Sequence, residues 1–422
     1  MTPAAQARPM GLPHAVFLQR VADEPATSPE VRLGQGAFLA LRFVDLLSPD
    51  REPSAPDVFR YQWAATERYC NELAGEGTEA AHLAGIVRAT GEAHRGNDVR
   101  ALAPALVAYA LYLEHDGHFQ EAEDVLQTMI RVGGVRLAAS DATAGWMRLG
   151  RVRRLQTDFA SAEAAYSEAG RIARQAGDHQ SVLLSRVGLC NVIHFQGNLP
   201  EAERAWRSVL ADAGAGTYHN VEAQAEHGLG NVLQRRGQMH DGAPHLWRAY
   251  ELYEEESNKL RALTDLGLLL LALGDADGAE RALNQVVARD RKGENAGNAM
   301  VELMHCMSYR RDRLGFERRR GRCEDQMADM PANIRADFHL KVGIGLARFG
   351  NFAKAGTQME QALEIASAHG LHELVFRIER IKSGLRDCES LVECERLAAA
   401  EPVLRTEALR EVSASLASLV EV

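Results

Sequence analysis

Gly117-His118-Phe119-Gln120-Glu121-Ala122 decides the fold, because the phrase recurs about every 40 residues. Each copy has a small residue, a short polar turn, an aromatic or aliphatic side chain, and then a small residue. It returns as Asp158-Phe159-Ala160-Ser161-Ala162, as Gly197-Asn198-Leu199-Pro200-Glu201-Ala202 and as Gly237-Gln238-Met239-His240-Asp241-Gly242. Two further copies are Gly274-Asp275-Ala276-Asp277-Gly278-Ala279 and Gly350-Asn351-Phe352-Ala353-Lys354-Ala355. A fixed period of this length means stacked units, each burying an apolar face against its neighbours.

Counting back from each turn places a first helix, helix A, near residues 103, 143, 183, 223, 260, 297 and 336, with a weaker unit near 63. Helix B follows the turn and carries a small residue, then a large one four positions later. The pairs are Ala122/Leu126, Ala162/Tyr166, Ala202/Trp206, Gly242/Leu246, Ala279/Leu283 and Ala355/Met359. The middle of helix A repeatedly holds a small residue: Ala110, Gly150, Cys190, Gly230, Gly267 and Gly343. A glycine inside a helix costs about 1 kcal/mol relative to Ala. Its repeated use implies a packing reason, namely close approach of helix B, with the large side chain filling the gap between units.

In the best unit, Trp146-x-x-Leu149-Gly150 opens helix A and Ala162-x-x-x-Tyr166 sits in helix B. This resembles the tetratricopeptide repeat. The resemblance covers roughly residues 100 to 370. It implies an all-α fold, a right-handed α-solenoid of antiparallel helix hairpins. The chain departs from the consensus in lacking the closing Pro and in its longer period, which suggests that helix B runs on by about a turn. Long-helix arrays of bacterial regulators of the MalT type and of peptide-sensing regulators are similar. The unit near 297 fits worst, with Arg311 in place of the turn glycine and Phe316 where Ala is expected.

Composition agrees with helices. The chain has 422 residues, 46% hydrophobic, 25% charged and only 6% aromatic, rich in Ala and Leu rather than β-branched residues. A net charge of -10 argues against a wholly basic nucleic-acid-binding surface, so no nucleic-acid partner is expected. The six cysteines form no Cys-x-x-Cys and suggest neither zinc site nor disulfide framework, so no metal or other cofactor is expected. Pro13, His14, Gln19 and Arg20 interrupt the N-terminal stretch as a signal peptide core, and the apolar run Leu266–Leu273 is too short to span a bilayer. A cytoplasmic chain with no membrane contact is the reading.

Four regions are expected. Residues 1–30 read as disordered. Residues 31–100 hold N-terminal helices, Arg32–Leu47 and Ala55–Leu73, and a degenerate repeat. Residues 101–370 form the array. Residues 371–422 form C-terminal capping helices, of which Leu371–Leu385 is amphipathic through Leu371, Leu374, Val375, Ile378 and Ile381.

In such repeats helix A lines an inner, concave wall. In this frame its exposed positions include Arg151, Arg154, Asn191, His194, Asn231, Gln234 and Arg235. An Asn amide offers both donor and acceptor to a peptide backbone, and Arg can clamp a carboxylate with two bonds. Asn is also common there in generic repeats, and the Lys partners of a carboxylate clamp are missing. The basic run Arg310–Arg322 can dock an acidic partner or a phosphate backbone, but Glu302, Asp312, Glu317 and Glu324 suit it better to a solvated helix face. His115 and His118 lack further ligands nearby, and Trp146 and Trp206 fall on core positions. No convergent set of catalytic groups is present in the sequence. The expected function is therefore non-enzymatic binding of a protein or peptide in the concave groove. The alternative is a signalling regulator that binds a short peptide or small effector and switches a partner protein.

Overall fold

The computed structural model describes residues 12–20, 28–51, 55–214, 217–290, 294–391 and 406–419. Among these residues there are helices and turns and no strand. Three helices come first: α1 (Pro29–Val44), α2 (Pro56–Glu72) and α3 (Thr78–Gly96). Seven A/B hairpins follow: α4 (Ala103–His115) with α5 (Phe119–Gly133), α6 (Ala139–Leu155) with α7 (Phe159–Gln175), and α8 (His179–Phe195) with α9 (Leu199–Ala213). Next come α10 (His219–Arg235) with α11 (Met239–Leu252), α12 (Glu256–Ala272) with α13 (Ala276–Arg289), α14 (Glu294–Tyr309) with α15 (Arg313–Asp325), and α16 (Ala332–Arg348) with α17 (Phe352–Ala368). Two helices, α18 (His372–Leu391) and α19 (Glu407–Ser418), complete the described chain. It divides into two compact units, Met1–Val192 and Ile193–Val422.

The recurring phrase is the turn between A and B. Gly117, Gly197, Gly237, Gly274 and Gly350 stand there with φ between 77° and 86°, a conformation that side-chain-bearing residues rarely adopt. Thr157 and Arg311 occupy the same place at φ 62° and 56°, so the turn survives where the glycine is lost. In four hairpins the side chain of the next residue caps helix B. Asp158 accepts from Ser161 N at 3.2 Å, Asn198 from Glu201 N at 3.4 Å, Asp275 from Gly278 N at 2.8 Å and Asp312 from Gly315 N at 2.9 Å.

Glycines in helix A receive the large residue of helix B. In the first unit a Cβ on Gly150 would lie 3.0 Å from the Tyr166 ring, and one on Gly188, in the next A helix, 2.2 Å from it. The ring therefore sits between two A helices, as the small-then-large pattern requires. In the second unit Trp206 covers Gly228, Leu246 covers Gly230, Leu283 covers Gly267 and Met359 covers Gly343. Phe316, the residue out of pattern, lies over Gly345, where a Cβ would approach its ring to 2.4 Å.

The frame needs one correction. Helix A starts at 139, 179, 219, 256, 294 and 332, three or four residues before the expected positions. Much of the added length thus lies in the first turn of helix A; α10 and α12 have 17 residues, their partners α11 and α13 only 14. That first turn is exposed and polar, as at His179 and Gln180, so no apolar period betrays it. Asp178 fixes its start by accepting from Ser181 N at 3.0 Å.

The ends also differ. Residues 12–20, expected to be disordered, hold a short 3-10 helix, Ala15–Gln19, with Phe17 fully buried in the first unit. The rest of 1–27 lies outside the described residues. In the second unit α18 packs on α17, with Ile378 buried and Leu374, Val375 and Ile381 beside it. The last helix does not stack beyond it. Instead α19 lies on α11 and α13 and buries Leu409, Val412 and Leu416. No helix among the described residues is long and apolar enough to cross a membrane.

Candidate functional site

Successive A helices of the second unit carry polar side chains at equivalent heights. Asp265, Glu302 and Lys341 each lie nine residues before the turn residue of their hairpin, Gly274, Arg311 and Gly350. Asn231 and His305 lie six residues before theirs, Gly237 and Arg311. The turn chemistry that sets the register of helix B therefore also aligns these groups.

Asp265 is the centre of the first cluster. His227 donates from Nε2 to its Oδ2 at 2.8 Å, and the Asn231 amide donates to the same oxygen at 3.1 Å. The other ring nitrogen of His227 meets the Tyr253 hydroxyl at 3.2 Å. Burial pushes the Asp265 carboxyl up, but the His227 and Asn231 hydrogen bonds and the nearby Arg261 charge outweigh it. The group is held below its ordinary value.

The second cluster is built on α14 and α16. Lys341, 4% exposed, pairs with Glu302, 2% exposed, and donates to Asp337 Oδ2 at 2.5 Å. Burial opposes the ammonium charge, but the two carboxylates outweigh it and raise the Lys341 pKa. Arg377 of α18 stands 3.7 Å from Asp337. His305 is driven well below the ordinary histidine value by burial and by the charges of Lys341, Arg348 and Arg377. Its Nδ1 and the Oε2 of Glu302 are buried without a hydrogen-bond partner among the described residues. Arg348 donates to the Ser308 hydroxyl at 2.8 Å and lies over the Tyr309 ring at 4.1 Å. These clusters set paired donors and acceptors, and two further buried polar atoms, side by side; no nucleophile and oxyanion donors converge there.

The seven residues singled out from the sequence fare unequally. Arg151 and Arg235 are exposed. Arg151 pairs with Glu114, which also takes Arg148 at 3.1 Å. Arg154 and His194, expected to be exposed, are buried at 9% and 7% exposure. They sit one turn closer to the hairpin turn than Arg151 and Asn191, and burial lowers the Arg154 pKa. Asn191, half-buried, donates to its own helix at Val187 O, 3.1 Å away. Asn231 and Gln234 are half-buried, and Asn231 joins the Asp265 cluster. Sequence reading missed His227, Asp265, Glu302 and Lys341. Counting nine residues back from each turn, not only three and six, finds the last three.

The basic run is a paired helix face. Arg310 and Arg319 meet Glu280, with Arg310 also on Asp277, while Arg320 meets Glu317 and Glu324. Of the four acids expected to balance it, Glu317 and Glu324 do so; Asp312 caps α15 and Glu302 turns to Lys341.

Comparison with known proteins places the fold. Residues 221–292 match the family model of the tetratricopeptide repeat. No curated protein matches the sequence. The chain is similar to the apo form of the quorum sensor NprR from B. thuringiensis, at 10% identity and a TM-score of 0.51, covering 78% of this chain and 97% of that one. It is similar to the Rap conjugation gene regulator of the plasmid pLS20 in complex with the Phr* peptide, at 12% identity and a TM-score of 0.50, covering 79% and 97%. NprR in complex with its cognate peptide NprX matches at 11% identity and a TM-score of 0.50, covering 78% and 97%. At such identities the likeness is one of fold: an all-α helical repeat array of the tetratricopeptide type.

Proposed function

We propose that this chain is a non-enzymatic binding module that captures a peptide or an extended protein segment on the A-helix wall of its second unit. The carrying observation is the alignment of Asn231 with His305, and of Asp265 with Glu302 and Lys341, at matching heights of successive A helices. A peptide backbone presents a donor and an acceptor at every residue. The half-buried Asn231, Asp265 and His305 can meet both, while Glu302 and Lys341 are buried in their own pair, and a wall already held by such pairs loses little freedom on binding. Buried, unpaired Cys70, Cys190, Cys306 and Cys323 suit a reducing compartment such as the cytoplasm.

A second reading, a regulator that answers to a short peptide effector, draws on the two neighbours solved with peptides, Phr* and NprX. Both readings place the ligand on the same wall. The test is capture from the source organism's lysate with mass-spectrometric identification. Wild type is compared with an Asp265→Asn, His305→Ala variant whose helicity by circular dichroism matches it. A partner held by wild type and lost by the variant supports the A-helix wall. A partner held equally by both removes it. Capture of a small peptide rather than a protein selects the effector reading.

A further inference from the structure

The first unit holds a short segment of its own chain in the manner of a bound peptide. Leu12–Arg20 lies against α1, α3, α4 and α5 and presents three side chains at three-residue spacing. Phe17 is fully buried, its ring stacked 6.3 Å from Tyr109 of α4. Arg20 donates from Nη1 to Glu79 of α3 at 2.9 Å and from Nε to Glu121 of α5 at 2.8 Å. His14 touches Asp124 of α5 at 2.5 Å through Nδ1 and Asp45 at 3.2 Å through Nε2. The backbone itself comes close. A Cβ on Gly34 of α1 would lie 2.6 Å from the Phe17 carbonyl oxygen, so only glycine admits the segment there.

The acids that receive it are buried: Glu79, Glu121 and Asp45 are 4–5% exposed. Tyr109 donates to Glu79 at 2.7 Å, and His118 stands 3.8 Å from Glu121. Among the described residues, Arg20 alone bridges both carboxylates. Asp45 also has Arg131 at 2.5 Å and Arg42 at 3.7 Å. Without the segment, Glu79 and Glu121 would be two buried anions sharing no guanidinium, an unfavourable arrangement that another cation-bearing peptide relieves. A cleft of about 380 Å³ beside Val16 and Gln19, walled by Glu123 and Asp124, leaves the outer flank of the segment open to a competitor.

We propose that this groove is a peptide-binding site whose resident ligand is Leu12–Arg20, and that a partner peptide with the same pattern, a histidine, a Phe three residues on and an Arg three further, displaces it. His14 makes occupancy depend on pH. Ionised carboxylates only accept, so contacts from both ring nitrogens require the doubly protonated imidazolium. Burial opposes that charge, but Asp124 and Asp45 more than offset it and raise the His14 pKa. Occupancy is therefore strongest below the ordinary histidine value of 6.5 and weakens as pH rises through the raised one.

The test keeps every residue of the chain. A protease recognition sequence is inserted within 21–27, the connection is cut, and a fluorescein-labelled peptide of residues 10–22 is added in excess. Labelled peptide should enter the cut chain saturably and the uncut chain not at all. Peptides with Arg20→Glu should bind at least about a hundredfold more weakly. Binding of the unaltered peptide should weaken from pH 6 to pH 8, while a His14→Gln peptide should not follow pH. Loss of cooperative melting on cutting, or a cut chain that never exchanges its segment, would make Leu12–Arg20 a fixed structural strap and overturn the proposal. Uptake that ignores Arg20→Glu would overturn the site. This groove lies in the first unit and is read out by peptide exchange, so its failure leaves the second unit's wall untouched.

Discussion

In the second unit the buried Glu302 meets Lys341, a residue of the next A helix; in the first, the buried Glu79 and Glu121 meet Arg20, which belongs to no repeat. Both arrangements solve the same problem, since a carboxylate removed from water needs a cation and hydrogen bonds. They differ in what must move to undo them. Separating Lys341 from Glu302 means parting two stacked helices and the Met359 and Phe316 packing around them. Withdrawing Arg20 means only lifting one short segment. A charge supplied from inside an array reports on folding, whereas a charge supplied by a terminal segment can report on ligand state.

The largest expected effect lies in the internal pair. Lys341→Met should cost about 3–5 kcal/mol of stability, because Glu302 is left buried, and Asp337 half-buried, beside an apolar side chain. Adding Glu302→Gln should recover most of that loss, since a neutral amide no longer demands a cation. Amide exchange should localise the change to α14 and α16, with residues 12–20 unaffected. A Lys341→Met chain as stable as wild type would show that the pair is hydrated and would erase the contrast between the units.

A difference of sign comes next. His14 has a raised pKa, so its contribution is complete below 6.5 and is lost as pH rises through the raised value. Asp265 has a lowered pKa, so its contribution is complete above the ordinary 3.8 and is lost as pH falls through the depressed value. Raising pH from 6 to 8 should loosen residues 12–20 and leave the Asp265 cluster unchanged. Acidifying below pH 4 should loosen α10 and α12 around His227 and Asp265. Amide exchange corrected for intrinsic rates checks both; parallel behaviour of the two regions contradicts the assignment of either charge.

The hairpins were legible because their turn chemistry is local. A residue with positive φ, most often glycine, followed by a polar residue marks the start of helix B, and small residues in helix A mark where Tyr166, Trp206 or Leu283 must fit. The start of helix A was not legible, because its first turn is solvated and carries no apolar period. The candidate wall was half legible. Arg151 and Asn231 were placed on helix A correctly, but exposure depends on how closely neighbouring helices approach, and Arg154 and His194 turned inward. The seat of Phe17 was illegible for a further reason. Proline and alanine around it suggest disorder, whereas its partner Tyr109, and the partners of Arg20, Glu79 and Glu121, lie on three different helices far along the chain.

The smallest effect tests whether register or partner gives a wall residue its role. Asn191 and Asn231 hold the same place in their repeats, six residues before Gly197 and Gly237. Asn191 donates to Val187 O in its own helix, a local bond that shares its acceptor with the helix ladder and adds little, while alanine favours the helix by a few tenths of a kcal/mol. Asn231 donates to the Asp265 carboxylate on another helix. Asn191→Ala should therefore change stability by less than about 0.5 kcal/mol, and Asn231→Ala should lower it by about 1–2 kcal/mol, since hydrogen bonds to charged groups are the stronger kind. Asn231→Ala should also relax the hold on Asp265 and move the onset of acid loosening toward higher pH, which Asn191→Ala should not. Urea melts of the two variants at pH 7 and pH 4 separate the outcomes. Equal losses at both positions would mean that place in the repeat, and not the carboxylate on the neighbouring helix, sets the role of these asparagines.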